Sequence, residues 1–399
     1  MKTTKKSTIN IFDKIDQSDC QIFKFGDIVS NISERVEPSE TEALIYVGLE
    51  HLDAGSIHIR RTGVPADVKG VKLKVYKGDI IFGKRRAYQR KAAIAHFDGI
   101  CSAHSMVLRA NSNIIDPELL PFFIHSDAFM NKAIDISEGS LSPTIKWKIL
   151  KEQKFSIPSI VLQKKLVKLL LAFDKLENNQ FNLILDKKIL KKSLIKKILE
   201  NKVSEELTQN KKGNKIKDNF YTGIAILNDK WPMVRLNEVV KAKSGNGKIK
   251  GRLLKKNNGS LFPGFSATGQ DVFVENYDYD SEGIVISAVG ARCGKCFLAN
   301  GKWSAIANTH VLLPKNKKVM AKYVWLIVND ENFWIRGGVA QPFVKVNDSL
   351  NKKIPLPPIK VQKEILSIFS KIEIDLDITI DVYKSTEEFK FAIINHFFK

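Results

Sequence analysis

The feature that most constrains this chain is that its second half repeats its first. The stretch "LSPTIKWKILKEQKFSIPSIVLQKKLVKLLLAF" from Leu141 lies over "AQPFVKVNDSLNKKIPLPPIKVQKEILSIFSKI" from Ala340 without a gap. Pro143 meets Pro342, Lys146 meets Lys345, Lys154 meets Lys353, Pro158 meets Pro357, and Gln163-Lys164 meets Gln362-Lys363. Upstream, "DIIFGKRRAYQRKAAIAHFDGICSAHSMVL" from Asp79 lies over "GIVISAVGARCGKCFLANGKWSAIANTHVL" from Gly283, with Ile80 on Ile284, Lys91 on Lys295 and Val107-Leu108 on Val311-Leu312. The two blocks differ in register by five residues, an offset assigned here to one loop of unequal length. Two similar halves of roughly 200 residues each follow, and any fold has to be built twice.

Within each half, short apolar stretches between glycine and polar turns, such as "ALIYVGL", "DIIFG" and "SMVLR", predict strands. "PELLPFFIHSDAFMNKAI" and "MAKYVWLIVNDENFWIR" predict one helix per half, with Pro117 placed at a first turn. Prolines at 158 and at 355, 357 and 358 then close the globular part. Beyond them Leu162, Leu166, Leu169, Phe173, Leu176, Leu183, Leu190 and Leu194 recur at 4-3 spacing, broken at Gln180 and Lys187. In the second half Val361, Ile365, Ile368, Ile372, Val382, Phe389 and Ile393 repeat the pattern, with polar breaks at Thr379 and Thr386 and a mismatch at Asp375. A seam of about 40 residues is a helix of about 60 Å whose apolar stripe has to be buried, and the nearest partner is the other helix. The fold expected is α+β: two similar mixed α/β globular domains separated by two long helices in an antiparallel coiled coil. The boundaries expected are 1–158 for the first domain, 159–202 for a central helix, 203–230 for a polar linker, 231–357 for the second domain and 358–399 for a C-terminal helix.

With 44% hydrophobic residues the chain has enough apolar material for real cores, and a net charge of +21 points to an acidic polymer as partner, nucleic acid before an anionic membrane. No run of 18 apolar residues and no secretory leader is legible, so a soluble, cytoplasmic protein without a membrane partner is expected. Cys293 and Cys296 form a C-x-x-C, but no second ligand pair accompanies them, and no histidine spacing matches a metal site; no metal and no cofactor are expected. No catalytic residue is expected either. The only Pro-Pro lies in "PLPPI" before a helix, where an adenine methyltransferase would need Asp/Asn-Pro-Pro-Tyr/Phe at a strand end; "GARCGKC" lacks the spacing and hydroxyl of a phosphate loop.

The candidate nucleic-acid contacts begin with the loop "GKRRAYQRKAA". It leaves a predicted strand carrying Lys84, Arg85, Arg86, Arg90 and Lys91, with Tyr88 placed to stack. Arginine suits bidentate contact with guanine or phosphate, and lysine suits phosphate. The matching loop of the second half carries Arg292 and Lys295. Further candidates are Arg60 and Arg61, then Lys243, Lys248, Lys250 and Arg252, and the residues just before each long helix: Ser142, Thr144, Lys146, Gln341, Phe343 and Lys345. A solvated turn is the plain alternative for the loop, and a structural role the alternative for the pre-helix segments.

This layout resembles the DNA-specificity subunit of type I restriction-modification enzymes over essentially the whole chain. The residues that carry the resemblance are "IPSIVLQKK" and "IPLPPIKVQKE", each closing a domain and opening a helix, and "WPMVRLNEVV" from Trp231, with a weaker "CQIFKFGDIV" from Cys20. The resemblance implies a non-catalytic subunit with two target recognition domains, each reading one half of a bipartite double-stranded DNA site. It implies helices that set the spacer and bind two methyltransferase subunits, and restriction subunits that join the assembly. A duplicated coiled-coil scaffold for proteins and a self-sufficient DNA-modifying enzyme are the competing readings.

Overall fold

The computed structural model describes residues 20–200, 231–249 and 261–398; the expected linker at 203–230 lies outside them. The chain divides into two compact units, one of residues up to Asn182 together with Ile380 onward, the other Leu183–Thr379. Each is described by itself.

In the first unit, strands β1 (Cys20–Lys24), β2 (Val29–Ile32), β3 (Arg35–Val36), β4 (Tyr46–Val47), β5 (Lys72–Val75), β6 (Ile80–Gly83), β7 (Ala92–Ile94), β8 (Gly99–Cys101) and β9 (Ser105–Ala110) precede two short helices, α1 (Leu120–Ile124) and α2 (Asp127–Asp135). Strand β10 (Lys154–Pro158) pairs back onto β1 and leads into the long helix α3 (Ile160–Glu200). Two four-stranded sheets form, in the orders β2-β9-β6-β7 and β3-β5-β8-β4. They stack because their strands are apolar on both faces. Ile80 and Phe82 of β6 and Met106 and Leu108 of β9 face a core shared with Phe122, Phe123, Phe129 and Phe155. Ile81 and Val107, one residue out of phase, face Val47, Val75 and Cys101 of the other sheet. Period-two alternation thus gives one helix-facing and one sheet-facing side to the same strand.

The second unit repeats this with β11 (Met233–Arg235), β12 (Val240–Ser244), β13 (Phe262–Ser266), β14 (Gly269–Val274), β15 (Tyr279–Asp280), β16 (Gly283–Ser287), β17 (Cys296–Ala299), β18 (Lys302–Ala305), β19 (Thr309–Pro314), α4 (Ala321–Val328), β20 (Arg336–Gly337), β21 (Phe343–Val344), β22 (Lys353–Pro355) and the long helix α5 (Ile359–Phe397). Its first sheet, β12-β19-β16-β17, has the same order as that of the first unit. Ile284 and Ile286 face the helical core with Tyr323 and Trp334, and Val285 and Val311 face Phe265 and Trp303. The other sheet differs at its edge. Both have a central strand flanked by one parallel and one antiparallel neighbour. The fourth strand is β3 beside the antiparallel neighbour in the first unit and β14 beside the parallel neighbour in the second.

Two expectations are corrected by this structure. The helix predicted over 117–134 is two helices, because Ser126 takes an extended backbone and its side chain accepts the amide of Phe129, capping α2. Likewise only Ala321–Val328 of the second predicted helix is α-helical, with a single 3-10 turn at Glu331–Phe333 beyond it. The five-residue offset is also not a simple loop. Residues equivalent by +204 persist to Asp116 and Met320, and those equivalent by +199 resume at Pro143 and Pro342. The extra length therefore falls where the first unit has α2 and the second only a short turn, Glu331–Phe333.

The repeated Gln-Lys pair has a physical role. Gln163 Nε2 donates to the carbonyls of Pro158 and Ile114, both at 2.8 Å, and its Oε1 accepts the Asp116 amide at 2.7 Å. Gln362 does the same with Pro357 (2.8 Å), Lys318 (2.9 Å) and Met320 (3.0 Å). A buried amide side chain thereby satisfies the backbone where the chain leaves the sheet for the helix.

The long helices run antiparallel in each unit. In the first, Phe173 stacks near Phe389 and Phe181 near Tyr383. In the second, Lys187 reaches Asp375 at 2.7 Å and Thr379 at 2.6 Å, and Lys191 reaches Glu373 at 2.6 Å. The heptad seam is buried at Leu162, Leu166 and Leu194 of α3 and at Ile365, Ile372, Thr379, Thr386 and Ile393 of α5, but not along the middle of α3. Leu176, Leu183 and Leu190 are 45%, 45% and 38% exposed, and Val382 is 47% exposed. Between the seam residues Leu162, Leu166 and Leu194, the buried stripe on α3 runs through Leu170, Asp174, Glu177 and Ile184, and it ends at Ile198. From 162 to 198 this is 36 residues, ten turns of a straight helix of 3.6 residues per turn, so the stripe drifts away from a 3.5-residue repeat. The polar members are paired: Lys390 lies buried against Glu177, with Asp174 beyond it at 3.8 Å.

Candidate nucleic-acid interface

The interface is built at one joint in each unit. Strand β6 ends at Gly83, and the chain turns through Lys84–Lys91 before returning as β7, with the Gly83 amide donating to the Lys91 carbonyl at 2.9 Å. A hairpin from the segment before β10 is stitched to this loop. The Ile145 amide donates to the Lys84 carbonyl at 2.9 Å and the Arg86 amide to the Pro143 carbonyl at 2.8 Å, while Glu138 and Thr144 close the hairpin with reciprocal bonds of 3.1 and 2.8 Å. The second unit makes the same stitches. The Ser287 amide reaches the Lys295 carbonyl at 2.9 Å, Val344 reaches Ala288 at 2.9 Å, and Gly290 reaches Pro342 at 2.8 Å. Gly337 and Phe343 pair across its hairpin. The pre-helix segments and the basic loop, separate in sequence, are one surface.

The candidate residues divide at this joint. Lys84, Arg85, Arg86, Ser142, Thr144 and Lys146 come together in the first unit. Lys146 is paired with Glu138, and Arg85 reaches the ring of His104 at 3.1 Å. Tyr88 is 55% exposed on a short turn. In the second unit Gln341, Phe343 and Lys345 sit on the hairpin, exposed, with Arg292 exposed on the adjoining loop; Lys295 lies over the Phe297 ring. Arg90 and Lys91 turn inward. Arg90 bonds Asp127 at 2.7 Å and the His125 carbonyl at 2.5 Å, and Lys91 bonds the Leu49 carbonyl at 2.6 Å. Arg60 and Arg61 are elsewhere: Arg60 holds Asn178 at 3.0 Å and covers Phe181, and Arg61 pairs with Asp53. Lys243 lies over Tyr279, and Lys248 is exposed on a short turn. Lys250 and Arg252 lie outside the described residues.

Beside the first joint is a cleft of about 550 Å³, lined by Arg35, Lys84, Lys146 and Lys148 over Met106 and Trp147. Burial holds the Lys84 ammonium below its ordinary pKa, and the charge of Arg35 adds to the effect. His104 is lowered by burial, then by Arg85 and Lys84. Like charges thus add to the effect of burial at both groups, and a local gathering of cations of this kind attracts a polyanion. Arg35 was not foreseen from the sequence, because only the pairing of β3 with β5 brings it here. Cys293 and Cys296 are both buried, and burial pushes the Cys296 thiol up. Among the described residues no cluster of His, Cys, Asp and Glu able to hold a metal occurs, and no helix is long and apolar enough to cross a membrane.

A strongly basic chain with the same loop-and-hairpin joint built twice is a duplicated architecture whose net charge suits a polyanion. The family is then settled by comparison: the model of the type I restriction modification DNA specificity domain matches residues 19–185 and 228–384, and the chain belongs to that family. It is similar to the specificity subunit of the type I restriction enzyme EcoDI from Escherichia coli, 26% identical over 147 residues, which are 36% of this chain and 32% of that one. The match thus spans about a third of that curated relative's length. Two solved structures share the fold: a chain from a type I restriction-modification assembly (TM-score 0.58, 17% identity, 95% of this chain and 97% of that one), and the type I restriction-modification S subunit from M. genitalium (TM-score 0.55, 15% identity, 97% and 98%).

Proposed function

We propose that this chain is the non-catalytic, sequence-reading subunit of a type I restriction-modification assembly and acts in the cytoplasm. Residues 1–158 and 231–357 are its target recognition domains, each reading one half of a bipartite double-stranded DNA site. The helices of 159–202 and 358–399 set the spacer and dock two methyltransferase subunits, with restriction subunits joining the assembly. The observation that carries this reading is the cationic loop-and-hairpin joint made twice by the same backbone bonds with different side chains, as two readers of two sequences require. Phosphate contacts from lysine and arginine position such a reader, and base-edge contacts specify the sequence. Docking is supported by aliphatic side chains that the long helices leave exposed, among them Leu183, Leu185, Ile189, Ile374 and Ile378.

Replacement of residues 231–353 by the matching segment of another specificity subunit, followed by genome-wide mapping of modified bases after expression with the partner methyltransferase, tests the reading. One half of the modified sequence changes and the other is retained. Changes in both halves are incompatible with independent readers, and a retained sequence removes the second domain from recognition.

A further inference from the structure

Each unit presents one aliphatic side chain to water at the tip of the same hairpin, one residue apart in register: Leu141 matches Ala340, and Val339 matches Ser140. Leu141 is 91% exposed and Val339 is 105% exposed, the two highest values among the large hydrophobic residues described. A single exposed aliphatic residue is ordinary on a protein surface. Here the hairpin tip recurs, and each tip carries one such residue. Both residues sit at the tips of the hairpins stitched to the basic loops, Leu141 two residues after the left-handed Gly139 (φ 110°) and Val339 one residue after the matching Gly338 (φ 80°). Both tips are held by the bond from the loop amide to the proline carbonyl, Arg86 to Pro143 and Gly290 to Pro342.

The chemistry of the tips differs from that of their flanks. The residues at 139–142 are Gly-Ser-Leu-Ser and those at 338–341 are Gly-Val-Ala-Gln, with no charge in either. The cations lie beside them, at Lys84, Arg85 and Arg86 in the first unit and at Arg292 and Lys345 in the second. A tip built for phosphate would end in a cation. A neutral, apolar tip between cationic flanks matches a groove, whose walls are phosphate and whose floor is base edges. The major groove, about 12 Å wide, admits a two-stranded ribbon, and the apolar feature of its floor is the thymine methyl group.

We propose that the hairpin tips carrying Leu141 and Val339 enter the DNA major groove, one in each half-site, and that these two side chains are specificity-determining residues covering thymine methyl groups. The proposal rests on the DNA-reading function above and adds an apolar component that the basic loops do not supply.

The test uses the chain assembled with its methyltransferase partner on a duplex bearing the mapped target. Leu141, Val339 and, as an 83% exposed control on the first domain, Leu44 are each replaced by the photoreactive residue p-benzoylphenylalanine. Crosslinks from position 141 map to bases of one half-site and crosslinks from 339 to bases of the other, with none from 44. In parallel, Leu141→Ser and Val339→Ser each weaken target binding roughly tenfold, with unchanged nonspecific affinity and salt slope. Uracil in place of thymine in the matching half-site weakens the unaltered complex but not the corresponding variant. Absent crosslinks, crosslinks confined to the spacer, an equal loss on nonspecific DNA, or equal sensitivity to uracil in complex and variant overturn the proposal. An unaltered complex that shows no sequence preference instead overturns the DNA-reading function itself.

Discussion

The loops after β6 and β16 follow nearly the same backbone path with opposite choices of residue. At the two positions where the chain turns left-handed, the second unit has Gly290 (φ 88°) and Gly294 (φ 94°), and the first has Arg86 (φ 53°) and Arg90 (φ 51°). Glycine takes this conformation without penalty, whereas a residue with a Cβ spends about 1–2 kcal/mol. Arg90 recovers its cost internally through Asp127 and the His125 carbonyl. Arg86 is exposed on the hairpin side of the loop, where its backbone amide donates to Pro143 and its carbonyl accepts from Gln89. The comparison separates what the duplicated scaffold needs from what each unit adds to it.

The largest consequence concerns charge. Lys84 and Arg85 stand where the second unit has Ala288 and Val289, so the first unit depends on a positive joint that the second lacks at those positions. Replacing both with alanine weakens target binding roughly 100-fold at physiological salt and lowers the slope of log affinity against log salt by about 1.8, at about 0.9 per phosphate contact. Arg90→Ala with Lys91→Ala lowers thermal stability and leaves that slope in place. Equal slopes for the two double variants would erase the distinction between reading and framework cations.

The shared scaffold gives the next effect. Gln163→Leu strands the Asp116 amide and the carbonyls of Ile114 and Pro158, and Gln362→Leu strands their counterparts. Each substitution destabilises its own unit by about 3 kcal/mol, at 1–3 kcal/mol for each buried polar group left unmade. Hydrogen exchange followed by mass spectrometry localises the loss; a large effect in one unit and none in the other would break the equivalence of the two sheet-to-helix junctions.

A smaller asymmetry lies behind the sheets. His125 and Asn329 occupy matching positions, and each bonds the backbone of a matching residue: His125 Nε2 lies 2.8 Å from the Ala92 carbonyl, and Asn329 Oδ1 accepts the Cys296 amide at 3.2 Å. Burial lowers the His125 pKa from 6.5 to about 4. The folded value lies below the unfolded one, so the unfolded chain takes up the proton first. The stability this contributes is fully present above about pH 6.5 and is lost as pH falls toward 4, about 3 kcal/mol in all. His125→Asn therefore moves acid unfolding of the first unit to lower pH, while the second unit, whose His310 is also lowered by burial, keeps its own dependence. An unchanged acid midpoint in the first unit would mean that His125 is not the group that titrates.

How much of this was legible in the sequence follows from the range over which each signal acts. The duplication, the proline-terminated domains and the long helices are written in local patterns and in matching residues, so the family and the mixed α/β class were readable. The heptad seam identified the two paired helices but misplaced the middle of α3, because 3.5- and 3.6-residue repeats diverge by about 20° per heptad: Leu176, Leu183 and Leu190 face water and Glu177 is buried beside them, while Leu194 is buried again. Charge in the loop was visible, but its use was not. Arg86 and Arg90 are four residues apart, and only the fold sends Arg90 to Asp127. The +204 and +199 registers do contain the remaining signal. They set Arg86 over Gly290 and Arg90 over Gly294, a hint of left-handed turns that a comparison of the halves residue by residue would have found.

The smallest effect is also the one that most sharply divides reading from folding. Arg86→Gly installs in the first unit the residue that the second unit uses at the same φ. It removes the left-handed penalty of about 1–2 kcal/mol and adds back about 0.5–1 kcal/mol of unfolded-state entropy, so stability is unchanged or rises by up to about 1.5 kcal/mol. The Arg86 amide still reaches Pro143, because that bond is made by backbone alone. If Arg86 holds its strained position for the sake of DNA, target affinity falls several-fold and the salt slope drops by about 0.9 in the same variant. Arg90→Gly supplies the contrast: it relieves the same strain but forfeits the bonds to Asp127 and His125, so its thermal midpoint falls. Arg86→Gly with a lower midpoint and undiminished DNA binding would reverse the assignment, making Arg86 a framework residue and leaving the joint to be read by Lys84, Arg85 and the hairpin alone.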